Sequence, residues 1–178
     1  MIVGIFCSSR EIARTYENAI VDALFVLFSV YHGTLQLSYG GGNKGIMGLV
    51  RQEAISHQIP ITGHNLEKWA LPGEQIYPTL LERQKGIVDS SDMYLIFPGG
   101  IGTIYELCQV LCHNDVERLD KPVIIYNING LFDTFVLFLE ELIDKELMDR
   151  DRLVLYVVKN TEEFSLLLTR LKNENEIE

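Results

Sequence analysis

The sequence of 178 residues is poor in several features that define other protein classes. It has only 3 cysteines, and an odd number at these spacings is not a disulfide framework. Its longest apolar stretch, Ala23–Val30, is far shorter than the roughly 20 residues that span a bilayer. The apolar N-terminal segment has no basic region before it, so it is not a signal peptide. These absences predict a cytoplasmic protein with no membrane partner, whose cysteines are small buried apolar residues.

Positive charge is also scarce. The 15 Lys and Arg residues are outnumbered by 25 Asp and Glu residues, which gives a net charge of -10. A protein that binds duplex nucleic acid needs basic side chains to displace the counterions of the phosphates, so no nucleic-acid partner is expected. A small phosphorylated ligand needs only a local site and is compatible with this charge.

Short apolar runs alternate with longer helical segments along the chain. The predicted strands are Ile2–Cys7, Leu35–Tyr39, Ile59–Gly63, Met93–Phe97, Pro122–Asn127 and Leu153–Val158. The predicted helices are Ile12–His32, Ile46–His57, Thr79–Asp89, Thr103–Asn114, Leu131–Leu147 and Thr161–Leu171. This alternation predicts one α/β domain over residues 1–178, with a parallel sheet and helices on both faces. We interpret Asn65–Tyr77 as a surface loop and Lys172–Glu178 as a frayed tail.

The segment Ala19–Tyr31 of the first predicted helix is apolar almost all round. A helix on the surface of a globular protein normally shows a polar face. Either this helix is fully covered within one subunit, or part of it contacts a second subunit. The sequence favours the second interpretation, a homodimer.

Two glycine-rich loops, Gly40–Gly48 and Pro98–Glu106, follow predicted strands. Ligands of open parallel sheets bind beyond the carboxyl ends of the strands. Glycines let backbone N–H groups approach an anion closely, and a helix that begins directly afterwards adds the positive end of its dipole. Two such loops predict a site for a phosphate or a similar oxyanion. The alternative is that the glycines only make tight turns.

Two common nucleotide motifs are excluded. The segment Gly40–Gly45 matches the dinucleotide fingerprint formally, but it follows the second strand, and Gly63–Asn65 stand where an acidic residue is expected. The phosphate-binding loop of the Walker type is excluded because neither of the two residues after Lys44 is Ser or Thr.

Glu106 is the most informative polar residue of these loops. We predict it in the first turn of a helix, three residues after Thr103, where it either completes a capping box with Thr103 or lies beside the ligand. A helix N-terminus lowers the pKa of a Glu, so an ionised carboxylate is expected, able to orient water or stabilise charge on an anomeric carbon. Arg83 is either its partner, a phosphate ligand or a solvated side chain.

The two loops together resemble those of a known family. Pro98–Glu106 fits the pattern PGGxGTxxE, and Gly40–Gly48 fits GGGxxGxMG. These motifs are typical of the LOG ("lonely guy") family, the cytokinin riboside 5′-monophosphate phosphoribohydrolases, whose members have often been labelled lysine decarboxylases. The resemblance implies a Rossmann-like, doubly wound fold and a homodimer. It also implies hydrolysis of a nucleoside 5′-monophosphate, AMP or an N6-substituted AMP, to the free base and ribose 5-phosphate.

The resemblance further implies the residues of the site. The catalytic pair of the family falls on Arg83 and Glu106. No metal and no cofactor is expected, since the sequence shows neither a metal cluster nor a lysine motif for pyridoxal phosphate. The residues expected to bind substrate are Ser9, Gly41, Gly42, Gln84, Gly100, Gly102 and Thr103.

The chain departs from the family pattern at several positions near this site, and Ser8 replaces a Gly in the turn after the first strand. Gln84 replaces a Lys, Asn65 stands near a family Glu, and Cys112 replaces a Thr. Because the catalytic pair is kept, hydrolysis of a purine 5′-monophosphate is the first hypothesis. The alternatives are a non-catalytic binding or carrier protein for a nucleotide or molybdenum cofactor, and hydrolysis of another nucleotide such as a pyrimidine monophosphate.

Overall fold

A computed structural model describes residues 1–175, and within them seven strands form one sheet. The strands are β1 (Ile2–Phe6), β2 (Gln36–Tyr39), β3 (Ile61–Leu66), β4 (Gln75–Tyr77), β5 (Met93–Ile96), β6 (Val123–Tyr126) and β7 (Leu155–Val158). Their order is β4-β3-β2-β1-β5-β6-β7, and every neighbouring pair is parallel. The sheet grows outward from β1 in both directions, which confirms the doubly wound topology predicted from the sequence.

Six α-helices cover the two faces of this sheet. They are α1 (Arg14–Val30), α2 (Gly45–Ser56), α3 (Leu80–Ser90), α4 (Ile101–Glu117), α5 (Asp133–Asp144) and α6 (Thr161–Asn175). The buried apolar residues of α1, α2 and α6 belong to one core cluster, and those of α3, α4 and α5 to a second. The two clusters lie on opposite faces, as expected when crossover helices connect parallel strands.

The central strands are buried on both faces. In β1, Val3 and Ile5 belong to the first cluster and Phe6 belongs to the second, so successive side chains point to opposite cores. Burying an aliphatic or aromatic side chain fully contributes about 1.5–3 kcal/mol. Strands buried in this way appear in a sequence as continuous apolar runs, which explains why all the central strands could be predicted.

The interpretation of Asn65–Tyr77 as a loop was wrong at both of its ends. Strand β3 continues to Leu66, and β4 pairs with it in parallel, with His64 opposite Gln75. Because several of the paired residues are polar, a hydropathy pattern does not predict this pairing. The ring of His64 is buried, and its two nitrogens are hydrogen-bonded to Ser38 and Tyr77 at 3.0 and 2.8 Å.

Most of the apolar surface of α1 is covered within the subunit. The helix packs against α6 and α2, and Leu24 and Leu27 are buried between them. Phe25, by contrast, is 60% exposed. The apolar composition of this helix is therefore explained mainly by its position between neighbouring helices.

Helix α6 extends to Asn175, so the first four residues of the tail Lys172–Glu178 are helical and 176–178 lie outside the described residues. On α5, Leu139 is buried whereas Phe138 is exposed. Among the described residues, every helix is too short or too polar to span a membrane.

Candidate active site

A cavity of about 780 Å³ opens beyond the carboxyl ends of β1, β2 and β5. This is where the strand order of a doubly wound sheet reverses and where ligands of such folds bind. The structure brings all nine residues predicted for the site into the wall of this one cavity, and their individual roles remain predictions. These nine residues are Ser9, Gly41, Gly42, Arg83, Gln84, Gly100, Gly102, Thr103 and Glu106.

Arg83 lies at the inner wall of the cavity and is almost completely buried. Helix α3 presents it there, and Thr79 caps that helix by accepting a hydrogen bond from the Glu82 N–H. The guanidinium Nε donates to the His64 carbonyl oxygen and Nη2 donates to the Gly40 carbonyl oxygen, both at 2.8 Å. One side chain therefore joins the ends of β3 and β2, which makes Arg83 a rigid cation and not a solvated one.

Glu106 lies opposite Arg83, and only 4% of its surface is exposed. Its Oε1 accepts a hydrogen bond from Gln84 Nε2 at 3.0 Å, while Arg83 Nη1 approaches the same oxygen at 3.5 Å. Neighbouring positions on α3 thus supply a neutral and a charged donor to one carboxylate. The arrangement places an acidic group, contacted by two donors of α3, at the wall of the ligand cavity.

The direction predicted for the Glu106 pKa was wrong. Helix α4 begins at Ile101 with Gly100 at its N-cap, so Glu106 is beyond the first turn and Thr103 forms no capping box with it. Burial raises the pKa of the Glu106 carboxyl, and the hydrogen bond from Gln84 and the charge of Arg83 offset this only in part. The effect of a helix N-terminus fades within one turn, so burial decides the direction.

The loop between β5 and α4 has unused backbone donors. Within residues 1–175, the N–H groups of Ile101, Gly102 and Thr103 donate to no backbone or side-chain acceptor. They form the first turn of a helix of 17 residues and lie at the cavity wall. Free N–H groups and the positive end of the helix dipole together favour an anion at this position.

The loop between β2 and α2 is different, because an acidic residue that the sequence analysis missed occupies it. Glu74 Oε1 accepts hydrogen bonds from the Gly42 N–H at 2.6 Å and from the Tyr39 hydroxyl at 3.2 Å. Glu74 Oε2 accepts from the Leu71 N–H and from Asn65 Nδ2. Burial opposes ionisation, but these four hydrogen bonds hold the pKa of Glu74 below its ordinary value.

No local signal marked Glu74, since it lies in the segment interpreted as a loop and its partner Gly42 is 32 residues away. Asn65 is also engaged, because its Nδ2 donates to the Trp69 carbonyl oxygen at 3.0 Å as well as to Glu74. The sequence analysis also missed the apolar side chains at the mouth of the cavity. These side chains are Leu66, Trp69, Leu71, Leu80, Ile101 and Tyr105.

The cysteines only partly follow expectation. Cys7 is buried beside the cavity, whereas Cys108 and Cys112 are exposed, because they lie on the outer side of α4. All three are free thiols. In the described part of the chain, no group of three or more His, Cys, Asp or Glu side chains is arranged to hold a metal ion.

The sequence matches a family model described as "possible lysine decarboxylase" over residues 33–167. That range contains both glycine loops, Arg83 and Glu106. The match therefore covers most of the chain and the greater part of the cavity wall.

Relatives and solved structures agree with this match. The chain is 32% identical to cytokinin riboside 5′-monophosphate phosphoribohydrolase LOG5 of Arabidopsis thaliana, over 80% of this chain and 65% of the relative. It is 29% identical to LOG2 of the same plant, over 80% of this chain and 70% of the relative. Its fold is similar to that of a molybdenum cofactor binding protein from Rippkaea orientalis, with a TM-score of 0.67 at 19% identity, over 96% of each chain. The chain belongs to the LOG family, in which the relatives just named are cytokinin riboside 5′-monophosphate phosphoribohydrolases.

Proposed function

We propose that this protein hydrolyses the N-glycosidic bond of a purine nucleoside 5′-monophosphate, AMP or an N6-substituted AMP, and releases the free base and ribose 5-phosphate. The observation that carries the proposal is the buried pair of Arg83 and Glu106 beside the free N–H groups at the start of α4. An anion site and a carboxylate on the same helix suit a sugar phosphate. The names of the plant relatives agree with this activity.

The phosphate would lie on the N–H groups of Ile101, Gly102 and Thr103. Arg10 and Lys44 also line the cavity and add positive charge to it. Glu106 follows Thr103 by three residues on α4, which corresponds to about 4.5 Å along the helix axis. A ribose held by its 5′-phosphate at the helix N-terminus would then extend along α4, with its anomeric carbon near the Glu106 carboxylate.

In this arrangement the Glu106 carboxylate stabilises the transition state electrostatically. As the C1′–N bond breaks, positive charge develops on C1′, and a nearby carboxylate stabilises it. Water adds its oxygen to C1′ and its proton passes to the departing base, so the products are ribose 5-phosphate and the neutral base. Arg83 keeps the neighbouring strand ends in place and balances the charge of the carboxylate.

The mouth of the cavity supports a substituted purine. Trp69 and Leu80 are 62% and 50% exposed although both are apolar, and both line the cavity. Apolar and aromatic side chains of this kind suit a flat base with an apolar N6 substituent. N6-isopentenyl-AMP is therefore the substrate to test beside AMP.

The variant Glu106→Gln tests the proposal. It keeps the shape of the side chain and removes the charge that stabilises the developing cation, so we expect release of base from AMP or N6-isopentenyl-AMP to fall by about 1000-fold or more. Glu117→Gln is the matched control, because Glu117 is an exposed carboxylate on the same helix. Turnover of Glu106→Gln at the parental rate would rule out the proposed role.

A non-catalytic nucleotide or molybdenum-cofactor carrier is the second candidate. The observation that favours it is the burial of Glu106, which raises the pKa of this carboxyl. A raised pKa disfavours the ionised form of this carboxyl, on which the proposed stabilisation of a cation depends. Incubation of the parent protein with AMP and N6-isopentenyl-AMP separates the candidates, because a carrier would bind a ligand and release no free base.

We also propose a homodimer. Since α1 is largely covered within the subunit, the support now comes from the neighbouring ends of α3 and α4. Leu80, Leu81, Ile101 and Tyr105 are all exposed there, and three of them line the mouth of the cavity. Clustered exposed apolar side chains of this kind mark interaction surfaces. Sedimentation equilibrium should give the mass of two chains, and the mass of one chain would contradict the proposal.

A further inference from the structure

The contacts of Glu106 show which neighbour holds it. Gln84 Nε2 donates to Glu106 Oε1 at 3.0 Å, which is an ordinary hydrogen-bond distance. Arg83 Nη1 is 3.5 Å from the same oxygen, and its Nε and Nη2 are already committed to two backbone carbonyl groups at 2.8 Å. The closer and better-formed contact of the carboxylate is therefore with the neutral amide.

The two oxygens of the carboxylate have different surroundings. Within the described residues, Oε2 of Glu106 accepts no hydrogen bond, yet it is not among the side-chain atoms sealed from solvent without a partner. Since Glu106 lines the cavity, Oε2 is the oxygen open to a ligand. The amide of Gln84 holds one oxygen and leaves the other available.

Gln84 itself is in an unfavourable position. Only 2% of its surface is exposed, and its Oε1 is buried without a hydrogen-bond partner in the described part of the chain. An unpaired buried acceptor is costly, and an apolar side chain of the same length would avoid that cost. The single polar contact that Gln84 makes is therefore expected to have a function.

We propose that Gln84 is the positioning residue of Glu106: its Nε2–H group anchors Oε1, and this orients Oε2 towards the ligand and favours the ionised carboxylate. The role of Glu106 rests on the proposed function, whereas the effect of Gln84 on Glu106 does not. Arg83 then acts mainly as a fixed cation that joins β2 and β3.

The charged and titratable groups around Glu106 are few. Arg83 faces it from α3, and Cys7 faces it from the end of β1, where burial and the Glu106 charge raise the pKa of the thiol. The raised pKa of the thiol keeps Cys7 outside the acidic limb of a pH profile. His64, with a pKa of about 4, and the phosphate of the substrate also titrate on the acidic side but are common to all variants, so a change between variants in the acidic limb is assigned to Glu106.

The first experiment replaces Gln84 with Met, which is similar in length and has no N–H donor. Loss of a hydrogen bond to a charged group should lower kcat/KM for N6-isopentenyl-AMP at pH 7 by about tenfold or more. The acidic limb should move up by about one pH unit, so part of the activity returns at higher pH. The melting temperature should stay within about 4 °C of the parent, because the unpaired Oε1 disappears as well.

Two further variants complete the test. Gln84→Lys restores an N–H donor and adds positive charge, so its acidic limb should lie at or below that of the parent. Gln109→Met is the matched control, because Gln109 also has a buried Oε1 without a partner among residues 1–175 but does not line the cavity. It should leave the pH profile unchanged, and an equal shift in Gln109→Met would overturn the proposal.

A readout without turnover separates this proposal from the proposed function. The carboxyl carbon of Glu106 can be titrated by ¹³C NMR in protein labelled at Glu, with the signal assigned by its absence in Glu106→Gln. We expect a higher titration midpoint in Gln84→Met than in the parent. Equal midpoints would refute the role of Gln84. A raised midpoint in a protein that cleaves no nucleotide would refute the enzyme and leave the positioning role intact.

Discussion

The two glycine loops at the ends of β2 and β5 are similar in sequence, but their backbone N–H groups are used differently. After β2, the Gly42 N–H donates to Glu74 at 2.6 Å, so a carboxylate of the chain itself occupies the position of an anion. After β5, the N–H groups of Ile101–Thr103 have no acceptor within residues 1–175. At the start of α4 three consecutive N–H groups are therefore available to a phosphate, whereas after β2 the Gly42 N–H would first have to leave Glu74.

This difference shows that a glycine-rich motif can have a structural or a binding role within one site. Glu74 connects the loop after β2 to the segment that carries Asn65 and Leu71, so this loop forms a rigid wall of the cavity. In the loop after β5, Gly99 is closely surrounded by protein atoms, whereas Gly100 and Gly102 have free space beside them. An ideal Cβ on Gly99 would lie 2.0 Å from Thr103 Oγ1, whereas Cβ atoms on Gly100 or Gly102 would meet nothing within 4 Å.

The largest effect is expected from the variant Gly99→Ala. The variant Gly102→Ala, made separately, is compared with it. The methyl group at 99 would overlap Thr103 and displace the first turn of α4, so we expect a loss of about 3 kcal/mol in the free energy of unfolding. Displacement of the phosphate site should lower kcat/KM by about 100-fold. Urea denaturation and steady-state kinetics measure the two effects.

Gly102→Ala should behave in the opposite way. Its methyl group meets no protein atom, and Ala is a better helix former, so the free energy of unfolding should rise by up to about 1 kcal/mol. The added group would occupy ligand space, and the KM should increase by about tenfold. If both variants keep parental kinetics, the start of α4 is not the phosphate site.

The next effect concerns the polar network behind the loop after β2. Burial, and then the charge of Arg83, lower the pKa of His64 from 6.5 to about 4. A neutral His64 ring therefore stabilises the folded protein. This contribution to the free energy of unfolding is complete above about pH 6.5 and is lost as the pH falls towards 4, because His64 of the unfolded chain takes up its proton first. The loss approaches about 3 kcal/mol, and urea denaturation at pH 7, 5.5 and 4 measures it.

The comparison that isolates this effect is between the parent and His64→Gln at each pH, because the carboxyl groups contribute equally to both proteins. The parent should lose more stability than the variant between pH 6.5 and 4. His32→Gln, at an exposed histidine, is the control and should follow the parent. Parallel pH curves for parent and His64→Gln would contradict the buried neutral histidine.

The smallest effect on activity is expected from Glu74→Gln. In the parent, four donors share the two oxygens of the Glu74 carboxylate, whereas the amide of the variant has a single acceptor oxygen. The free energy of unfolding should therefore fall by about 2 kcal/mol. Activity should fall by less than about fivefold, since the proposed phosphate site is on the other loop. Glu67→Gln, at an exposed carboxylate in the same segment, is the control. Unchanged stability with lost ligand binding would assign the anion site to the loop after β2.

Much of the fold could be predicted from local patterns. The six predicted strands were apolar runs, and they correspond to β1, β2, β3, β5, β6 and β7. The seventh, β4, was missed because it contains only three residues and its buried neighbours on β3 are polar. A hydropathy pattern cannot detect a strand of three largely exposed residues whose neighbours on the next strand are polar.

The site was predicted less evenly. Arg83, Glu106 and the glycines were found from motifs, and the structure gathers them in one cavity. Glu74 had no signal, because its partners Tyr39 and Gly42 lie more than thirty residues earlier in the chain. The direction of the Glu106 pKa was predicted wrongly, because a helix position is a local property whereas burial depends on α3 and β1.

By itself the sequence determined the strand–helix alternation, the two glycine loops and the LOG family motifs, because each depends on residues close together in the chain. The tertiary structure alone decided which glycine N–H group is engaged by a carboxylate of the chain, which neighbour holds Glu106 and which residues form the mouth of the cavity. The physical reason is that hydrogen-bond satisfaction and desolvation depend on groups distant in sequence. Glu74 and Gln84 acquire their importance only when the sheet brings their partners to them.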